Sequence, residues 1–269
     1  MADRLLADVD ALLREAAAEI VVPMFRRLDA ADIAEKAPGE VVTVADRRAE
    51  ELISAGLRRL RPGSVVVGEE AVAADPDLLR YLRGDGDVWL VDPVDGTANF
   101  AAGRRPFALM VALLTDGVPV ASWVYDPLDG TMATCRAGAG TRLDGTPVRT
   151  SGPVPEVGAL RGTAMTRFLP PATRQSVAAG GGRIGELLPG QHCAGREYLD
   201  VLTGRQQFVL FWRTLPWDHA PGTLLVREAG GVARRFDGTD YHPADDGRGL
   251  LVASSAEIWD EVRAALLGG

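Results

Sequence analysis

Six residues, Asp92-Pro93-Val94-Asp95-Gly96-Thr97, close the apolar run Val88-Trp89-Leu90-Val91. A short strand thus feeds directly into two carboxylates three residues apart. Proline stiffens the backbone between them, and glycine lets that backbone approach a ligand closely. Gly68-Glu69-Glu70 likewise follows an apolar run, Val65-Val66-Val67, and Trp217-Asp218 opens a helix-like segment. Carboxylates gathered at one point repel: two unit charges about 4 Å apart cost roughly 4 kcal/mol at an effective dielectric near 20. A fold that collects several must neutralise them, and all-oxygen ligands suit hard cations such as Mg²⁺. The chemistry this points to is metal-dependent hydrolysis of a phosphate ester.

The motif occurs twice. Asp126-Pro127-Leu128-Asp129-Gly130-Thr131 repeats the pattern, but it lies between two extended-looking segments, 118–125 and 131–136, with no acidic pair before it. Asp-Gly between such runs signals a hairpin, so the second copy reads as a turn. The first copy alone fits a turn as well as a metal site; Glu69 and Asp218 favour the latter.

Elements must position these groups. Leu5, Leu6, Val9, Leu12, Leu13, Ala16, Ile20 and Met24 recur at helical spacing and predict a helix over 4–28, disturbed at Pro23. Thr43-Val44-Ala45-Asp46 matches a helix-start box for a second helix over 44–60. Strands are expected near 65–68, 88–91, 107–114, 118–125 and 131–136, with a turn at 143–146. The aperiodic stretch 150–158 contains two prolines and divides the chain into halves at 1–150 and 151–269. The second half should carry strands near 159–163, 207–212, 231–236 and 249–253, and helices near 171–179, 194–203, 218–229 and 255–267. Asp218 is placed as the N-cap of its helix, with Pro221 in the first turn and Gly222 allowing tight packing.

Composition bounds the function. The 269 residues carry a formal net charge of -8, which argues against a nucleic-acid-binding surface. Lys36 is the only lysine. Cys135 and Cys193 show neither metal-ligand spacing nor a disulfide framework, and the start Met1-Ala2-Asp3-Arg4 lacks a signal pattern. No apolar run reaches membrane-spanning length. A cytoplasmic protein without membrane partners is expected.

Gly68-Glu69-Glu70, then Asp92 through Phe100, then Trp217-Asp218-His219-Ala220-Pro221-Gly222 with Glu228-Ala229-Gly230-Gly231, resemble the inositol monophosphatase family. Val42 to Asp46 resembles its earlier acidic motif, and Lys36 stands about where the family often has a lysine. The resemblance implies an α/β fold of mixed sheets, a layered αβαβα sandwich, usually a homodimer. It also implies Mg²⁺-dependent, often Li⁺-sensitive hydrolysis of a small phosphomonoester. Carried onto this sequence, Glu69, Asp92 and the Val94 carbonyl would hold one ion. Asp92, Asp95 and Asp218 would hold a second, and Glu69 a weaker third. Asp46 and Thr97 would orient and help deprotonate the attacking water, and the Gly96 and Thr97 amides would cradle phosphate.

Purely structural roles compete with several of these. Asp46 fits a capping box, Thr97 a turn, Glu70 and Lys36 a solvated surface, and His219 a packed helix start. The substrate wall departs from the family: His192-Cys193-Ala194-Gly195 replaces a Gly-Ser-Ala-Ala-like segment. Phe211 stands where inositol-specific members carry an acid. A phenyl ring accepts no hydroxyl proton, so selection for a polyol is weakened. Arg213 and Arg196 are candidates to contact another leaving group. Histidinol phosphate, nucleotide 3′-phosphates and sugar bisphosphates remain open as substrates. So does a non-catalytic, phosphate-binding regulatory role.

Overall fold

The apolar stripe at the N-terminus forms α1 (Ala2–Ala16), which continues through a widened turn at Ala17–Val21 to Met24 in the computed structural model. The widening sits beside Pro23, which lacks an N–H and crowds the carbonyl four residues back. The helix stops short of the expected residue 28, and Arg26 turns the chain with a φ of 62°. The structure describes residues 2–37, 40–150, 152 and 154–268; Ser151 and Pro153 of the expected boundary lie outside them.

A hairpin of β1 (Ile33–Ala37) and β2 (Glu40–Thr43) comes next. It was not anticipated, because Glu35, Lys36 and Glu40 interrupt any apolar alternation. Then α2 (Val44–Leu60) begins as expected: Thr43 accepts from the Ala45 amide, and Asp46 completes the capping box. The next elements are β3 (Val65–Gly68), α3 (Glu69–Ala74), β4 (Asp87–Asp95) and α4 (Thr97–Ala101). Five antiparallel strands follow, β5 (Ala108–Thr115), β6 (Val118–Asp126), β7 (Thr131–Arg136), β8 (Thr141–Leu143) and β9 (Thr146–Val148). With β3 and β4 they form one seven-stranded sheet in order β3 to β9, parallel only between β3 and β4.

The remaining chain supplies β10 (Arg161–Ala164), α5 (Pro171–Gly180), β11 (Glu186–Leu188), α6 (Ala194–Leu202) and β12 (Phe208–Phe211). It ends with α7 (Pro216–Glu228), β13 (Val232–Arg234), β14 (Leu250–Ala253) and α8 (Ala256–Leu266). Its sheet runs β11-β10-β12-β14-β13.

Three apolar clusters define the layers. α1 and α2 cover one face of the large sheet through Leu13, Ile53, Trp89 and Trp123. α6 and α7 fill the space between the sheets, with Tyr198 and Leu225 against Met110 and Val252. α5 and α8 close the far face through Val177, Trp259 and Leu251. The architecture is the expected αβαβα sandwich.

One expectation about α7 fails. Pro216 presets the first helical φ, so the helix starts at Pro216 with Leu215 as its cap, and Asp218 lies inside the first turn. Pro221 consequently falls within the helix, beyond its first turn.

Gly222 does permit close packing. A Cβ there would lie 2.1 Å from the Tyr198 ring. Gly222→Ala should therefore destabilise the fold by about 1–3 kcal/mol in urea unfolding. A midpoint matching wild type would show that α6 and α7 do not touch at this point.

Candidate active site

Strand and helix ends bring the acidic residues together. Glu69 follows β3, Asp92 and Asp95 end β4, Asp218 opens α7, and all four line one cavity of about 460 Å³ with Gly96, Thr97 and Lys36. The expected turn at Pro93 is instead strand with an irregularity: Asp92 pairs with Met110 but Asp95 with Ala108, so one extra residue is accommodated. A bulge of this kind re-aims side chains. Gly96 then takes a φ of 88°, with Cys193 and the Pro106 carbonyl close to where a Cβ would stand.

Burial and mutual repulsion govern this cluster. Burial first, then the charges of Glu69, Asp95 and Asp218, push Asp92 well above the usual carboxylate range. Asp218 is raised the same way, by burial and then by Asp95 and Glu69. Burial lifts Asp95 to about 6, although its Oδ2 accepts from the Gly195 amide at 2.6 Å and from the Cys193 thiol at 3.1 Å. Among the described residues, no three acidic, histidine or cysteine side chains close tightly enough on one point to hold an ion as they stand. Lys36 holds Glu69 at 3.0 Å and also bonds Glu70. Burial opposes the lysine charge, but these two acids outweigh it and raise its pKa.

Asp46 does more than cap. Its Oδ2 accepts from the Thr43 amide at 2.8 Å, while Oδ1 lies 3.1 Å from the Thr97 hydroxyl. That hydroxyl is also 2.9 Å from the Val94 carbonyl, and its single proton can serve only one acceptor at a time. Burial raises Asp46 to about 7. Neither Asp46 nor Val94 lines the cavity; Thr97 connects both to it. His219 is packed rather than catalytic: burial drives it down to about 3, with Nδ1 facing the Tyr198 hydroxyl and Nε2 the Arg213 carbonyl, both at 2.9 Å.

Cys193, Ala194, Phe211 and Arg213 all line the cavity, and Arg213 is ion-paired with Glu40. Arg196 does not line it. Its guanidinium is committed to Asp126, Asp129 and Asp200, the first two in the repeated motif, which forms the expected turn between β6 and β7.

Sequence reasoning missed two groups. Glu50 lies four residues after Asp46 on the inner face of α2, a placement readable from helical spacing. It accepts from the Glu70 and Ala71 amides at 2.8 and 2.9 Å, fixing the segment that carries Glu69, and burial raises it to about 7. The other group, Arg167 and Phe168 on the cavity wall, follows the C-terminal end of β10, a common place for ligand contacts in α/β sheets.

The donors suit a hard divalent cation, being carboxylate and carbonyl oxygens whose buried charges repel one another. Fold and cavity together define a five-layer α/β protein with an acidic cleft at the ends of its strands. The chain belongs to the inositol monophosphatase family, whose model matches residues 3–268. It is 33% identical over 218 residues to an inositol-1-monophosphatase from Mesorhizobium japonicum, covering 76% of this chain and 75% of that one. It is 33% identical over 238 residues to Nus factor SuhB of Pseudomonas aeruginosa, covering 83% and 82%. The fold superposes on an IMPase from Thermotoga maritima with a TM-score of 0.80 at 24% identity, over 98% of each chain. No helix among the described residues is long and apolar enough to cross a membrane.

The raised carboxylates set a pH dependence. Asp46 and Glu50 move from ordinary values of 3.8 and 4.5 to about 7 on folding. An acid raised by folding contributes stability that is complete below its unfolded pKa and is lost as pH climbs through the folded one. Metal-free protein should thus melt higher at pH 5 than at pH 8, by more than about 3 °C, and Mg²⁺ should narrow the gap. A higher melting point at pH 8 without metal would contradict these assignments.

Proposed function

We propose that this chain is a Mg²⁺-dependent phosphomonoesterase that hydrolyses a small phosphorylated metabolite, of which inositol monophosphate is the nearest model. The observation that carries the reading is the set of four carboxylates lining one cavity, with Asp92 and Asp95 buried, Asp218 half-buried, and all three held above their normal pKa by desolvation and by neighbouring acids. On this reading Glu69, Asp92, Asp95, Asp218 and the Val94 carbonyl would hold two to three ions, with Asp92 shared. When bound, such cations offset phosphate charge and activate water as Lewis acids.

The chain's own groups would do the rest. Thr97 can pass its hydroxyl proton to Asp46 and take one from a water in the cavity, because Asp46, at about 7, is a base near neutral pH. Gly96 and Thr97 would present backbone amides to phosphate oxygens. Lys36 would release Glu69 as the ion enters. Li⁺ inhibition and a homodimer belong to the proposal through the family resemblance, and a cytoplasmic location through the two free cysteines, Cys135 and Cys193.

A second, regulatory reading draws support from the relative named Nus factor SuhB. Against it stands the retention of every expected acid together with the Thr97–Asp46 contact.

Asp92→Asn should reduce Mg²⁺-dependent phosphate release by about 10³-fold or more while the far-ultraviolet circular dichroism stays unchanged. Turnover equal to wild type would refute the shared-ligand role. Absence of release from every phosphomonoester by the wild type would favour the regulatory reading.

A further inference from the structure

Beyond the acidic floor, the cavity wall carries three Lys and Arg side chains, Lys36, Arg167 and Arg213. Lys36 is ion-paired with Glu69 and Glu70, and Arg213 with Glu40. Among the described residues, Arg167 has no acidic partner; its guanidinium carbon instead sits 5.0 Å from the centroid of the Phe168 ring. Arg213 lies at the same distance from that ring.

This is an ordered arrangement. The turn bearing Arg167 and Phe168 follows β10, and Arg174 of α5 pins it by donating to the Arg167 and Leu169 carbonyls at 3.4 and 3.1 Å. Phe168 keeps 46% of its surface exposed, so its ring serves the two guanidiniums rather than the core. A planar fork held against a ring loses little further entropy when it meets an anion, and a guanidinium binds phosphate or carboxylate through two parallel N–H donors.

Phe211 points to the same conclusion from the other side. Its ring is fixed against His219, with centroids 4.6 Å apart, and against Tyr198 at 5.5 Å, so this part of the wall offers no acceptor to a polyol hydroxyl. A cavity of about 460 Å³ has room for a whole small metabolite beyond its reacting phosphate.

We infer that Arg167, held by Phe168, is a specificity-determining residue that binds a second anionic group on the leaving group, so that the preferred substrates are phosphomonoesters bearing a further phosphate or carboxylate. This rests on the phosphatase reading and deepens it by naming the substrate class.

The test compares kcat/KM for four esters with Mg²⁺ in wild type, Arg167→Gln, Arg167→Lys and Phe168→Ala. Adenosine 3′,5′-bisphosphate carries a second phosphate and 3-phosphoglycerate a carboxylate, while myo-inositol 1-phosphate and glycerol 2-phosphate carry neither. The wild type should favour one or both doubly anionic esters. Arg167→Gln should lower kcat/KM for the favoured ones by about tenfold or more, chiefly through KM, and leave glycerol 2-phosphate unchanged. Arg167→Lys should recover part of the loss, and Phe168→Ala should reproduce it more weakly. The arm with the larger loss tells phosphate from carboxylate. Equal losses on all four esters, or none, would overturn the inference. If the wild type turns over no ester, the phosphatase reading falls. Calorimetric binding of adenosine 3′,5′-bisphosphate then decides the subsite: about tenfold weaker binding by Arg167→Gln supports it, and equal affinity overturns it.

Discussion

Like charges gathered out of water are the constraint on which the rest of this molecule turns. Asp92 and Asp95 share a bulged strand end, Asp218 comes from a helix start, and Glu69 from the end of the neighbouring strand. Each ordinarily prefers solvent, and bringing them together raises the energy of the ionised forms of Asp92 and Asp218. The protein moderates this repulsion locally. Lys36 holds Glu69, the Gly195 amide and the Cys193 thiol hold Asp95, and the Val94 amide donates to Asp92 at 3.1 Å. Those bonds leave Asp218 raised by desolvation and then by Asp95 and Glu69, and the cluster short of charge balance, a state that a divalent cation relieves.

The same constraint explains how the layers are joined. The N-terminal end of α6 meets both copies of the Asp-Pro-x-Asp-Gly pattern. Gly195 and Cys193 bond Asp95 of the first copy, while Arg196 bonds Asp126 and Asp129 of the second. The second copy has neutralised its acids with arginine and uses Asp126 to accept from the Leu128 and Asp129 amides, closing its turn. One sequence pattern thus serves two ends: acids paired with arginine become a structural joint, and acids left facing a cavity become a site.

Much of this was legible in the sequence. The 44–60 helix, the strands at 65–68 and 131–136, and the acids at 69, 92, 95 and 218 could be read because local signals coincided there: a capping box, uninterrupted apolar runs and carboxylates at strand ends. The β1–β2 hairpin was hidden because its charged residues obscure any alternation, and the start of α7 was misplaced because Asp218 looks like a cap while Pro216 sets the helix. The commitment of Arg196 depends on a hairpin 70 residues away, and the exposure of Arg167 at the cavity on how β10 joins its sheet. Those are tertiary facts that local spacing does not encode.

Whether these four acids form a divalent-cation site is decided by diffraction from crystals soaked in Mn²⁺, recorded near the manganese edge. Anomalous peaks are expected in the cavity between Glu69, Asp92, Asp95 and Asp218, with the Lys36 ammonium displaced from Glu69. A map without such peaks at millimolar Mn²⁺, with Lys36 still bonded to Glu69, would contradict a cation site there.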